Sequence, residues 1–555
     1  MTLSSVFEWL ERSHLRAAAL LFVLALALFL PGLKGLPPMD RDEPRFAQAT
    51  RQMLETRDFV DIRFQTEARH KKPVGIYWMQ AAVVDAAERA GIEGARGLIW
   101  LYRLPSLLGA ILVVLLTYAV GVGLSTRRAA FMAAILMAAV ILLGVEARLA
   151  KTDAVLSATV VACMGGLARV WMTREDPRAR LPWPWFLGFW VAMGVSVLVK
   201  GPIAPAIVGL TAATLCVADR SAAWLRRLRP LWGLLIVLVM VAPWMVAITI
   251  KTGGTFFEEA VGQDMLGKVA AGQESHGAPP GTYLAAFLGT AWPLAPWVLL
   301  AIPFGWRQRW SDPVLFCLAW AIPMWIVFEA VPTKLPHYVL PLYPALAILA
   351  ALAAEARALA VAGMVPRLVM GLLPALVVAL GVAATAGAVR LDGVVPWAGL
   401  ALFALASVAA VLAWRSYFRS FFGTSAIQAV AASVLVAFGA YWATVPLLRA
   451  VAISPRLAEA ARAAECAPTG LATVGYREPS LVFLTRTDLE MTDGPGAAGY
   501  LRQGACRVAF VEKRQEEAFL KAAGEAGLQP KLLSRVTGLN LNGGRALDIG
   551  VYLGP

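Results

Sequence analysis

The sequence predicts an α-helical polytopic membrane protein of about 13 transmembrane helices, followed by a small C-terminal α/β domain. Three observations carry this. The chain is 59% hydrophobic and 15% charged, with a mean hydropathy of +0.66, whereas a soluble domain is roughly half apolar and a quarter charged. Its apolar residues gather into runs of the roughly 20 residues that a helix needs to cross a bilayer. From residue 447 onward those runs stop, and short β-like and helical stretches alternate.

Apolar spans fall at about 15–34, 98–122, 129–146, 153–172, 183–200, 202–218, 230–250, 283–304, 312–330, 339–356, 367–389, 397–414 and 426–446. Each is expected to cross as one helix. The first, with its apolar run from Ala17 to Leu33, is longer than a usual signal core and is followed by no small-residue cleavage site, so it reads as a retained signal anchor. Arginines gather in alternate short loops: Arg127 and Arg128, Arg174 to Arg180, Arg226 to Arg229, Arg307 and Arg309, Arg357 and Arg367, Arg415 and Arg419. Positive-inside bias puts this set and the N-terminus in the cytoplasm, and the C-terminus outside. These loops, with anionic lipid headgroups, account for the net charge of +14 without nucleic acid.

On this topology residues 1–446 form the membrane domain, with an outward first loop at 35–97, and 447–555 form the soluble domain. The first loop is expected to hold two helices along the outer surface. Glu43 to Arg57 has Phe46, Ala49, Met53 and Leu54 at helical spacing, with Pro44 in the first turn and Asp42 or Glu43 as cap. Val74 to Ala90 is amphipathic, with Tyr77 and Trp78 suited to the membrane interface. A second outer loop, Lys251 to Thr282, is long and polar, with Glu258, Glu259, Asp264, Lys268, Glu274 and His276. Its length favours a substrate-covering role. In the soluble domain Leu471 to Gly475, Cys506 to Val511 and Ala546 to Leu553 read as strands. Pro479 to Leu484 and Gln515 to Ala526 read as helices. Cys163, Cys216 and Cys317 are small packing residues. Cys466 and Cys506 are placed to form a disulfide if this domain lies outside the cytoplasm.

The chemistry-bearing residues sit in the outer segments. Asp40, Asp42 and Glu43 read either as caps with solvated charge or as carboxylates near a sugar anomeric carbon, and Asp40-x-Asp42 leaves room for a divalent cation. Asp153 opens a span. It is either a cap, with Arg148 and Lys151 as interfacial anchors, or a functional carboxylate at the lip of the bundle. Lys72, Arg45 and Lys200 either snorkel to water or bind phosphate. Lys334, His337 and Tyr338 add a polar group on the same face, where a lone histidine is more often structural. There is no Walker-type loop, dinucleotide fingerprint, Ser-His-Asp signal or paired-Cys metal spacing. An ATP-driven pump is not expected, and the spans lack the repeated, charge-broken helices of a secondary transporter.

In order, these segments are Asp42-Glu43-Pro44-Arg45-Phe46-Ala47, Lys71-Lys72-Pro73 with Tyr77-Trp78, Lys151-Thr152-Asp153, Lys200-Gly201-Pro202, and Lys334-Leu335-Pro336-His337-Tyr338 running on to Pro344. Together they resemble the bacterial lipid A 4-amino-4-deoxy-L-arabinose transferases, within the protein O-mannosyltransferase-like, C-type membrane glycosyltransferases. The resemblance covers the membrane part. It implies a C-type glycosyltransferase architecture and a multi-pass protein of the bacterial inner membrane with its site facing the periplasm. It also implies a sugar donor on undecaprenyl phosphate and a lipid A or lipopolysaccharide acceptor. By that resemblance Asp42 and Asp153 are the catalytic carboxylates, and Arg45, Lys72, Lys200 and Tyr338 bind substrate.

These roles are physically consistent. Cations that neutralise the departing lipid phosphate stabilise the transition state. Asp42 orients an anionic acceptor, or acts as base toward a hydroxyl. The expected reaction is a single displacement with inversion and no nucleotide cofactor. Aminoarabinose, galacturonic acid and neutral hexoses are all used in the family. A cationic sugar would want acidic neighbours and a uronic acid extra cations, and the first loop has both. The alternatives are transfer to a protein or another envelope glycan, or a lipid or glycan transporter.

Overall fold

The computed structural model describes residues 12–39, 42–260, 262, 267 and 277–555. Among the described residues, nine helices are long and apolar enough to cross a membrane, from Ile99–Leu124 to Phe422–Leu447. The shorter apolar helices His14–Phe29 (α1) and Ile203–Asp219 stand where the sequence places two further spans. Pro230–Thr252 and Met364–Asp392 are 17% and 22% buried, which leaves most of their apolar surface for lipid, while Asp153–Met172 is 83% buried and forms the centre of the bundle.

Two expected spans are not continuous helices. The one at 129–146 is divided at Val140, whose ψ of 123° is not helical. The one at 283–304 is divided between Thr282–Thr290 and Ala295–Arg307, where Pro293 offers no amide to continue the ladder. The two breaks meet. The Ile141 amide donates to the Trp292 carbonyl at 3.0 Å, so one break satisfies a backbone group freed by the other, as a bilayer interior demands.

The first loop holds the two expected helices, α2 (Asp42–Thr56) and α3 (Gly75–Arg89), with a short hairpin between them, β1 (Arg63–Phe64) and β2 (Glu67–Ala68). The sequence reading missed the hairpin because two-residue strands carry no periodicity. Its capping role for Glu43 is also corrected. Glu43 is fully buried, and its carboxylate accepts from Arg103 Nε at 2.7 Å and Nη2 at 3.0 Å, from the Met39 amide at 2.6 Å and from the Ala150 amide at 3.0 Å. Arg103 lies inside α4 (Ile99–Leu124) and is itself fully buried. Tyr77 is likewise buried rather than interfacial, while Trp78 beside it is exposed.

Close helix packing below the loop depends on two glycines. A Cβ on Gly109 of α4 would lie 2.8 Å from the backbone of Ala154, and one on Gly75 of α3 would lie 2.7 Å from the Leu198 carbonyl oxygen. α5 (Arg127–Ala139) and α6 (Ile141–Glu146) follow α4, then α7 (Asp153–Met172) and α8 (Trp183–Lys200). Gly75 therefore seats the start of α3 on the C-terminal end of α8.

The C-terminal domain is a five-stranded mixed sheet in the order β4-β3-β5-β7-β6. The strands are β3 (Gly470–Val474), β4 (Glu490–Thr492), β5 (Arg507–Glu512), β6 (Lys531–Asn540) and β7 (Arg545–Leu553). β3 pairs in parallel with β4 and β5, and β7 runs antiparallel to β5 and β6. Three of these strands were expected. β4 and β6 were not, since β4 is short and much of β6 is only half-buried or exposed, without a clean alternation. Cys466 and Cys506 are joined by a disulfide, and Cys163, Cys216 and Cys317 are free.

Arg103→Met leaves the Glu43 carboxylate buried and unpaired. It is expected to cost about 3–5 kcal/mol, read as a lowered melting temperature in detergent, with Glu43→Met on the same chain recovering much of the loss. A single variant that melts with the parent would show that this pair does not hold the loop.

Candidate active site

α6 ends on Glu146 and α7 begins on Asp153, so the turn between them carries a carboxylate at each end. The turn is fixed from three sides. Ser106 Oγ donates to the Lys151 carbonyl at 3.0 Å, Gln80 Nε2 donates to the Ala150 carbonyl at 3.2 Å, and Glu43 accepts from the Ala150 amide. Both carboxylates are buried.

Lys200, the last residue of α8, donates through Nζ to Asp153 Oδ1. Its Nζ also lies 5.1 Å from the ring centroid of Tyr338, a cation–π contact. His337 stands between the carboxylates, with Nε2 3.8 Å from Asp153 Oδ2 and Nδ1 3.7 Å from Glu146 Oε1. Lys151 Nζ is 3.4 Å from the same Glu146 oxygen. Lys72 is close enough for its charge to act on His337. The structure thus brings together Asp153, Lys200 and Tyr338, with Lys72 at their edge. It adds Glu146 and His337, which sequence reasoning did not select. An acidic residue closing an apolar run, seven positions before Asp153, was the available signal for Glu146. For His337 there was none, since its partners are remote in sequence.

Asp42 and Arg45 form a second group on the first turn of α2, 4.0 Å apart, with the Asp42 side chain 45% exposed. The charge of Asp42 reaches Tyr77 of α3. The two groups are coupled through α3, whose Gly75 rests on Leu198, two residues before Lys200.

Other expectations are corrected. Lys200 does not snorkel to water but is paired inside the bundle. Arg148 is no interfacial anchor. It is buried, donates to the carbonyls of Pro31, Gly144 and Leu28, and lies 4.0 Å from the Tyr441 ring centroid. Lys151 is also buried. Lys334 closes the end of the helix Asp312–Ala330 by donating to the carbonyls of Glu329 at 2.8 Å and Val331 at 2.5 Å. Asp40, Asp264, Lys268, Glu274 and His276 lie outside the described residues. Of the second outer loop, Glu259 Oε2 is 3.3 Å from His70 Nδ1, and Lys251 pairs with Asp58. Partial burial pushes Asp58 up, but the Lys251 ammonium and two backbone amides hold its carboxyl below the ordinary carboxylate value.

Glu146, Asp153 and His337 offer ligand atoms within 4.8 Å of one another, a donor set that suits a divalent ion. Each carboxylate already faces an ammonium, however, and two negative charges against two positive ones need no further cation. A metal would have to displace Lys151 or Lys200.

Residues 71–246 match the family model described as dolichyl-phosphate-mannose-protein mannosyltransferase. The chain is 26% identical over 340 residues to an undecaprenyl phosphate-alpha-4-amino-4-deoxy-L-arabinose arabinosyl transferase of Aeromonas salmonicida, covering 59% of this chain and 58% of that one. The like-named protein of Edwardsiella ictaluri is 28% identical, over 60% and 58%. The matches thus span 58% of the length of these relatives. In fold, the chain is similar to ArnT from Cupriavidus metallidurans bound to undecaprenyl phosphate, with a TM-score of 0.73, 20% identity and coverage of 96% and 97%. It is also similar to the archaeal oligosaccharyltransferase AglB from Archaeoglobus fulgidus, with a TM-score of 0.53, 13% identity and coverage of 93% and 71%. The fold is therefore that of these polytopic membrane proteins, a helical bundle with a C-terminal sheet domain.

If the ammonium groups complete the cluster, EDTA should not change the melting temperature of the wild-type protein. Lys151→Met/Lys200→Met, which bares both carboxylates, should be stabilised by added Zn²⁺. A wild-type protein that loses stability in EDTA would place a metal in this cluster instead.

Proposed function

We propose that the chain is a glycosyltransferase of the bacterial inner membrane. It moves a sugar, 4-amino-4-deoxy-L-arabinose or a similar one, from undecaprenyl phosphate to lipid A or lipopolysaccharide at the periplasmic face, with inversion. The observation that carries this reading is the Asp153–Lys200–Tyr338 cluster, buried at Asp153, with Lys72 near enough for its charge to act on His337, and a first loop that presents Asp42 to solvent. The names of the similar proteins support the donor and the reaction. The Cys466–Cys506 disulfide supports a C-terminal domain outside the reducing cytoplasm.

In this reading the leaving group is a phosphate monoester on a lipid. Lys72, Arg45 and Lys200 neutralise the charge that develops on it, and fixed cations with their backs to protein do so without reorganisation. Asp153 is too buried to meet a substrate. Its task is to hold Lys200 against the Tyr338 ring, so it is a positioning residue. Asp42 is the carboxylate exposed enough to reach the acceptor. It orients an acceptor phosphate or takes the proton of an acceptor hydroxyl. The family model's description also keeps a protein acceptor as a second reading.

Mass spectrometry of lipid A from cells with and without the protein tests the acceptor and names the sugar by its added mass. An unchanged profile overturns the lipid A assignment in favour of the protein acceptor. Asp42→Asn and Lys72→Ala are each expected to lower transfer by about 10²-fold or more while the protein still inserts and folds. Full activity in both removes these residues from the mechanism.

A further inference from the structure

Two buried hydrogen-bond donors near Asp42 lack partners. Arg69 follows β2, and its amide donates to the Ile62 carbonyl at 2.8 Å, which turns the side chain inward. The residue is 9% exposed, and its guanidinium carbon lies 4.9 Å from the Phe46 ring centroid. Tyr77, in the first turn of α3, is fully buried with its ring 5.3 Å from that of Phe46. Phe46 lies one helical turn after Asp42, on the same face of α2. Phe46, Arg69 and Tyr77 thus pack as one cluster on the side of α2 that carries Asp42.

The Arg69 guanidinium lies close enough to the Tyr77 oxygen to act on it both as a charge and as a donor. That still leaves Arg69 Nε and the phenol proton without an acceptor among the described residues. Buried donors are almost always satisfied, and leaving one unsatisfied costs about 1–3 kcal/mol, more for a charged group. The neighbouring carboxylate is already engaged: Asp61 is 2.8 Å from His70 Nε2 and 3.2 Å from Arg63 Nη1. A guanidinium has no acceptor, and burial pushes the Tyr77 phenol up so that it keeps its proton. The missing partner must therefore be an acceptor, and beside a guanidinium an anionic oxygen fits best.

We propose that Arg69 and Tyr77 form an oxyanion-binding subsite near Asp42, filled by a substrate carboxylate or phosphate oxygen. The proposal rests on the glycosyltransferase reading for what the substrate is, and names an acidic group as part of what this chain selects. A carboxylate would belong to a uronic acid on the donor, and a phosphate to the lipid carrier. The position argues for the sugar end, since Lys72 and Lys200 already gather where the carrier phosphate leaves.

The test uses the full-length protein in detergent with Arg69→Met and Tyr77→Phe. Each removes an unsatisfied donor, so neither should melt below the parent. Thermal-shift titrations with undecaprenyl phosphate and with an undecaprenyl-phosphate-linked uronic acid need no turnover, so they stand even if transfer to lipid A is not observed. In both variants the apparent Kd for one of these probes should rise about tenfold or more. A rise for the uronic acid donor alone identifies the carboxylate, and an equal rise for both probes identifies the carrier phosphate. Unchanged affinities for both, or a lowered melting temperature with unchanged affinities, would show a structural pair and overturn the proposal.

Discussion

The Glu43–Arg103 ion pair is the contact on which the site depends. A buried pair is stable only when each remaining lone pair and proton finds a partner. Here Arg103 also donates to the carbonyls of Leu33 and Leu36 at 2.9 Å each and of Pro37 at 2.9 Å, and Glu43 takes the amides of Met39 and Ala150. The pair therefore ties together the chain leaving α1, the start of α2, the N-terminal part of α4 and the turn before Asp153. Asp42 is adjacent to Glu43 in sequence. Fixing one residue in the interior leaves the next half-exposed at the start of the same helix, pointing where a substrate can reach it.

The second consequence lies at the far end of that turn. Because Ala150 is held by Glu43 and Gln80, and Lys151 by Ser106, the carboxylates of Glu146 and Asp153 cannot separate from each other. Two buried negative charges would be costly alone. Lys151 and Lys200 supply the compensation, drawn from two different parts of the chain. The same compensation places Lys200 over the Tyr338 ring. Charge balance in the bundle and the placement of the Lys200 ammonium are thus one arrangement.

Much of this was legible in the sequence, for reasons that differ by residue. The spans follow from apolar run length, and α2 and α3 from helical periodicity in a polar loop. Asp42, Asp153 and Lys200 stood out because charge next to a span is costly and so carries meaning. Glu43 was misread because a carboxylate in the first turn of a helix looks the same whether it caps the helix or meets an arginine 60 residues away. His337, Arg148 and Arg69 were illegible for the same reason: their environments are made by segments distant in sequence. The helix breaks at Val140 and at Pro293 escaped notice because hydropathy measures whether a segment is apolar and not whether its backbone is continuous.

The C-terminal domain gains a role from these contacts. It docks on the outer side of the first loop, not on the membrane helices alone. Gln65 donates to the carbonyls of Thr487 at 3.0 Å and Leu489 at 2.8 Å, Arg51 to that of Phe483 at 2.8 Å, and Thr487 to Glu55 at 2.6 Å. The Phe483 ring meets Tyr102 edge-on, 5.3 Å away, directly before Arg103 in α4. α2 is consequently gripped from both sides, by Arg103 at its first turn and by the sheet domain along its length. A long loop of two helices over the membrane bundle would ordinarily be among the more mobile parts of such a protein. Here its inner end is held by a buried ion pair and its outer face by a folded domain, with the half-exposed first turn that carries Asp42 and Arg45 between them.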